Sequence, residues 1–153
     1  MKQNNKKKIS YLAVFVWMGV IFYLSHQSGD SSGGLSSGIT EMMLNVINTI
    51  FPSLKVDIDL FHHIIRKLAH FTAYFILAIL LINALRTSNI FGFKSIIIAL
   101  LISIIYAATD EFHQSFIPGR GPSIKDVFID SFGASFGLAI YFVFSKLKKR
   151  RVS

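Results

Sequence analysis

The chain has no cysteine. That excludes a disulfide framework, a thiolate zinc site and a thiol nucleophile in one step. Charge is scarce too, at 16% Asp, Glu, Lys and Arg, against roughly 25% in soluble domains. No Gly-x-Ser-x-Gly elbow, P-loop or His-Glu-x-x-His stretch occurs, so the usual signatures of a serine hydrolase, a nucleotide-binding enzyme and a zinc peptidase are missing. An ordinary water-soluble domain is excluded by the same shortage of charge.

In place of charge the chain carries apolar residues, 52% of its 153 positions, at a mean hydropathy of +0.54. They fall in four blocks, at about 9–24, 68–85, 90–108 and 127–144. At about 1.5 Å per helical residue, each approaches the roughly 30 Å of a bilayer core. The first is the shortest, and so it leaves Ser25, His26 and the lysine run at the interfaces. The backbone must satisfy its own hydrogen bonds in lipid, and the blocks lack the alternation of barrel strands. The expected fold is therefore all-α: a polytopic membrane protein with four transmembrane helices in a compact bundle. A cleaved signal peptide is the rival reading of the first block, but no Ala-x-Ala-like site follows it.

The basic residues are sorted. The amino tail 1–8, the connection between the second and third blocks with Arg86 and Lys94 on its flanks, and the carboxyl tail 145–153 hold 11 of the 16 Lys and Arg residues and no acid. The positive-inside rule puts all three in the cytoplasm, so both termini are expected there. Every acid and every histidine lies on the other side or in the outer half of a span. The basic tails are explained by topology and anionic lipid, and no nucleic-acid partner is expected.

The long outer segment, 25–67, opens with the linker SGDSSGGLSSG. At about 39–51, Ile39, Met42, Met43, Val46, Ile47, Ile50 and Phe51 recur with helical spacing. This predicts a short amphipathic helix for the outer surface, for a lid over the bundle, or for plain packing. Asp57 and Asp59 offer N-caps for a helix that runs into the second span.

Three spans carry polar residues at the outer end. His63, Lys67, His70 and Tyr74 recur on one face of the second. Tyr106, Thr109, Asp110 and His113 share a face of the third, with Glu111 and Gln114 turned about a quarter-turn aside. Asp126, Asp130, Gly133 and Gly137 make one stripe of the fourth. A charge inside a span costs roughly 2.5–3.5 kcal/mol at the centre, so such residues face partners in the bundle. The three stripes are expected to meet in an outward-facing polar pocket walled by the second, third and fourth spans. Gly133 and Gly137 permit close approach of a neighbouring helix. Pro118, Gly119, Gly121 and Pro122 predict a tight turn holding Arg120 over the pocket, and Ser123 with Asp126 fits a capping box that starts the fourth span at Ile124.

The segments RKLAHFTAYFILA, TDEFHQSFIPGRGPSIKD and VFIDSFGASFG, with SHQS after the first span, resemble the VanZ-like family of small bacterial membrane proteins. The resemblance implies a link to resistance against teicoplanin-type lipoglycopeptides, and a polar core of Lys67, His70, Tyr74, Asp110, Glu111, His113, Gln114, Arg120, Asp126 and Asp130. It supplies no reaction. The long outer insert departs from the family pattern.

The expected role is binding of an anionic headgroup by Arg120 and Lys67, oriented by Asp110, Glu111 and Asp130, with His113 and Gln114 donating hydrogen bonds. The partner is a membrane lipid, a lipid-linked cell-wall precursor or the lipoglycopeptide itself. A membrane-embedded hydrolase or transferase would instead use Asp110 or Glu111 to orient His113 or His70 as base, with Arg120 stabilising developing charge. A third reading is a structural ion cluster between helices. No cofactor and no metal are expected; a metal version would have used Asp110, His113 and Glu111, without a recognised ligand spacing.

Overall fold

The computed structural model describes residues 2–27, 38, 41–47, 49–50 and 57–150. Helix α1 is Lys2–Ser25, α2 is residues 41–47, α3 is Ile58–Thr87, α4 is Phe93–Gln114 and α5 is Ile124–Arg150. Four of these, all but α2, are long and apolar enough to cross a membrane. Both basic tails continue their spans as helix, with α1 beginning at Lys2 and α5 reaching Arg150. Lysine is a good helix former, and the helix already started in the span extends at little cost.

The bundle is apolar outside, and its interior joins large aliphatic residues such as Leu77 and Ile82 to small and polar ones. Phe15, Leu101, Ile105, Phe128 and Phe132 are exposed around its perimeter, where lipid replaces water as solvent. In α4 the buried stripe is Ser95, Ala99, Ser103 and Ala107, a small residue at every fourth position. Such stripes let backbones approach, because helix association in lipid depends on packing and hydrogen bonds rather than on the hydrophobic effect. The serine hydroxyls donate back to their own helix, Ser103 to the Ala99 carbonyl at 2.9 Å.

The closest packing joins α3 to α5. A Cβ on Gly133 would collide with the Phe71 carbonyl oxygen and lie 3.0 Å from its carbonyl carbon, and one on Gly137 would lie 2.7 Å from the Phe75 carbonyl oxygen. The Gly-x-x-x-Gly pattern thus serves contact within the chain. Helix α1 is docked by polar anchors: Trp17 Nε1 donates to the Ala73 carbonyl at 2.9 Å, and the Tyr106 hydroxyl to the Met18 carbonyl at 2.7 Å. At the basic end the Arg86 guanidinium lies 4.6 Å from the centre of the Tyr141 ring, bracing α3 against α5.

Asp57 caps α3, accepting from the Leu60 amide at 3.1 Å, while Asp59 sits in the first turn. Residues 41–47 are helical as the periodicity predicts. Their apolar side chains Met42, Met43 and Val46 are exposed rather than packed on the bundle. The Gly/Ser linker from 28 to 37 lies outside the described residues, as do 39–40, 48 and 51–56 of the segment around α2.

Candidate functional site

The end of the bundle that gathers the C-termini of α1 and α4 and the N-termini of α3 and α5 holds a buried polar cluster. Asp110, Glu111 and Gln114 of α4 and Asp130 of α5 are all buried, and Asp130 is 0% exposed. His70 of α3 places Nδ1 3.4 Å from Asp130 Oδ1. The Tyr74 hydroxyl is buried in the same region.

The expected stripe of α4 is rotated. Glu111 and Gln114 point inward with Asp110, whereas Thr109 is exposed and His113 lies at the margin. Mean spacing cannot separate these choices, because residues a quarter-turn apart can both border an inward face. The structure places the His113 ring against α1, 4.6 Å from the Phe22 ring centre, with Nε2 3.1 Å from His26 Nδ1. His63 is exposed.

Helix α1 is the fourth wall, in addition to the three spans expected from sequence. Ser25 is buried and its hydroxyl donates to Asp110 Oδ2 at 2.7 Å. Gln114 Nε2 donates to the same oxygen at 3.2 Å, and Arg120 Nη1 donates to the Ser25 carbonyl at 3.2 Å. The available signal for Ser25 was its place in the SHQS element, immediately after a span too short to carry it deep into lipid.

The capping box expected at Ser123 and Asp126 is not what forms. In that motif the acid three residues on would accept the N-cap amide. Here Glu111 Oε2, from α4, accepts the Ser123 amide at 2.8 Å. Asp126 is instead paired with Lys67 of α3. A carboxylate from a neighbouring helix caps α5 just as well and also ties the Arg120 turn to α4; the released Asp126 neutralises Lys67.

Arg120 sits on the turn 115–123, half-buried over the cluster, with Gly119 at φ 74° making the bend. Burial and the nearby Arg66 guanidinium push the Arg120 guanidinium below its ordinary value. Among the described residues neither arginine is in an ion pair, and Nε of each is buried without a hydrogen-bond partner. Lys67, expected as the second cation, is paired with Asp126.

The carboxylates are incompletely partnered. Asp110 Oδ1, Glu111 Oε1 and both oxygens of Asp130 are buried without a hydrogen bond. A buried acceptor left in that state costs about 1–3 kcal/mol, more when charged. Ions at the rim and unsatisfied acids beneath are more than packing requires. A groove at the opposite, basic end, between α1 and α3, is lined by Lys6, Ser10, Asn83 and Arg86 and contains no carboxylate.

Comparison with known proteins gives one assignment: the VanZ/LLP1 family model matches residues 10–145. That range contains every residue of the cluster. No curated protein and no solved structure matches.

Proposed function

The chain belongs to the VanZ/LLP1 family, and we propose that it is a membrane-embedded binding protein for an anionic headgroup, held at the mouth of the bundle by Arg66 and Arg120. The observation that carries this reading is that Arg66 and Arg120 each bury Nε without a hydrogen-bond partner, with no carboxylate paired to either among the described residues. A guanidinium left unpaired in a partly buried place is stabilised by an anion brought to it. A guanidinium binds phosphate or carboxylate through a planar fork.

The sorting of Lys and Arg supports an outward-facing mouth in a bacterial plasma membrane, with both termini in the cytoplasm. The family link supports a lipid-linked cell-wall precursor or a teicoplanin-type lipoglycopeptide as the source of the anion. The hydrolase reading is less well served, since Asp110 is engaged by Ser25 and Gln114 while His113 is turned to His26. The Lys67–Asp126 pair fits the structural reading, and it does so without consuming the arginines.

The test is titration of the chelator-treated, full-length protein in nanodiscs with undecaprenyl phosphate and, separately, with teicoplanin. Arg120→Lys and Arg66→Lys are each expected to weaken the bound species about tenfold or more, equivalent to about 1.4 kcal/mol. Saturation by only one of the two ligands identifies the source. Equal affinity in the wild type and both variants would sink the reading.

A further inference from the structure

Beneath the arginines, three helices each contribute one metal-ligating side chain to a common point: His70 from α3, Glu111 from α4 and Asp130 from α5. One donor atom from each lies within 4.8 Å of the others. Bonds of about 2.0–2.2 Å from imidazole and carboxylate to one ion set neighbouring donors about 3.0–3.6 Å apart, so the three side chains would draw in by up to about 1–2 Å around it. We propose that this trio is a binding site for a divalent first-row cation, Mn²⁺ or Zn²⁺.

Acids near one another do not make a site, but these are oriented in a particular way. Glu111 commits Oε2 to the Ser123 amide, which leaves Oε1 buried and unpartnered. Asp130 is wholly buried, and neither of its oxygens has a hydrogen bond. Asp110 follows the same pattern, with Oδ2 taken by Ser25 and Gln114 and Oδ1 unpartnered. In Glu111 and Asp110 one oxygen is fixed by structure and the other is left for a ligand, as in metal sites whose carboxylates are held from behind. The Tyr74 hydroxyl, also buried and unpartnered, adds a further polar group there.

Charge points the same way. Lys67 is spent on Asp126, and Arg120 reaches the Ser25 carbonyl rather than an acid. Only His70 faces Asp130 directly, and its imidazole carries charge only when protonated. A divalent ion supplies the missing positive charge and occupies the unpartnered oxygens together. One imidazole with carboxylates and no thiolate suits Mn²⁺ or Zn²⁺ and disfavours copper(I), which selects soft sulfur ligands. Sequence spacing did not show the trio, because its members come from three different helices.

The site is independent of what the arginines hold. The full-length protein in detergent is stripped with chelator, titrated with MnCl₂ or ZnCl₂, desalted and assayed for metal by mass spectrometry, with Mn²⁺ also followed by its electron paramagnetic resonance signal. About one ion per chain is expected. Asp130→Asn and, separately, His70→Gln should each weaken binding by more than the roughly 10–100-fold that loss of an outer-shell partner costs. Wild-type protein that retains neither metal would overturn the proposal, and this arm does not depend on any variant folding. Binding of equal strength in the wild type and both variants would place the ion elsewhere and overturn it too.

Discussion

Gly133→Val is expected to lower the unfolding midpoint of the detergent-solubilised protein sharply, while Gly19→Val leaves it nearly unchanged. The two glycines are both inside spans, but their surroundings are opposite. Around Gly19 nothing lies within 4 Å of an added Cβ, whereas at Gly133 the obstacle is the Phe71 backbone itself. Backbone cannot rotate out of the way as a side chain does, so α3 and α5 must separate. Overpacking of this kind costs about 1–3 kcal/mol, occasionally more. The small gain in helix propensity over glycine, a few tenths of a kcal/mol, does not offset it.

The damage should reach the polar cluster as well. Asp130 lies one turn before Gly133 on α5, and His70 precedes Phe71 on α3, so separation of these helices at their tightest contact pulls the carboxylate from the imidazole. Loss of stability in Gly133→Val together with loss of ligand binding is the expected pair of results. An unchanged midpoint would mean that α3 and α5 do not approach as described.

The second large effect is all-or-none. The absence of native cysteine allows single cysteines to be read against a clean background. Gly121→Cys, in the turn beside Arg120 with open space around its Cβ, is expected to react with a membrane-impermeant maleimide in intact cells. Phe91→Cys, in the connection between α3 and α4 and 61% exposed, should react only after permeabilisation. The basis is charge: Arg86 and Lys94 flank that connection without an acid, and short basic loops are retained in the cytoplasm. The reverse labelling pattern would put the arginine pair in the cytosol and end its assignment to an outer-leaflet headgroup.

Number and type of spans were legible in the residues alone. Four apolar blocks of membrane length permit only helices, and four helices of that kind form among the described residues. The N-cap at Asp57 was legible too, since capping is a contact between residues three apart. Other features were out of reach. That Gly133 and Gly137 would admit some helix was clear; that it would be α3 was not. Ser25 belonged to a span whose polar end looked merely interfacial, and only its placement beside Asp110 makes it part of the cluster.

The division follows from the range of the forces involved. Transfer from water to lipid acts on each segment separately, and capping acts within one turn, so both leave a local mark in the chain. The pairing of Lys67 with Asp126, the capping of α5 by Glu111 and the hydrogen bond from Arg120 to the Ser25 carbonyl each join residues of different elements. Their partners were settled by helix rotation and by how closely the backbones could approach, which are properties of the packed bundle rather than of any one segment.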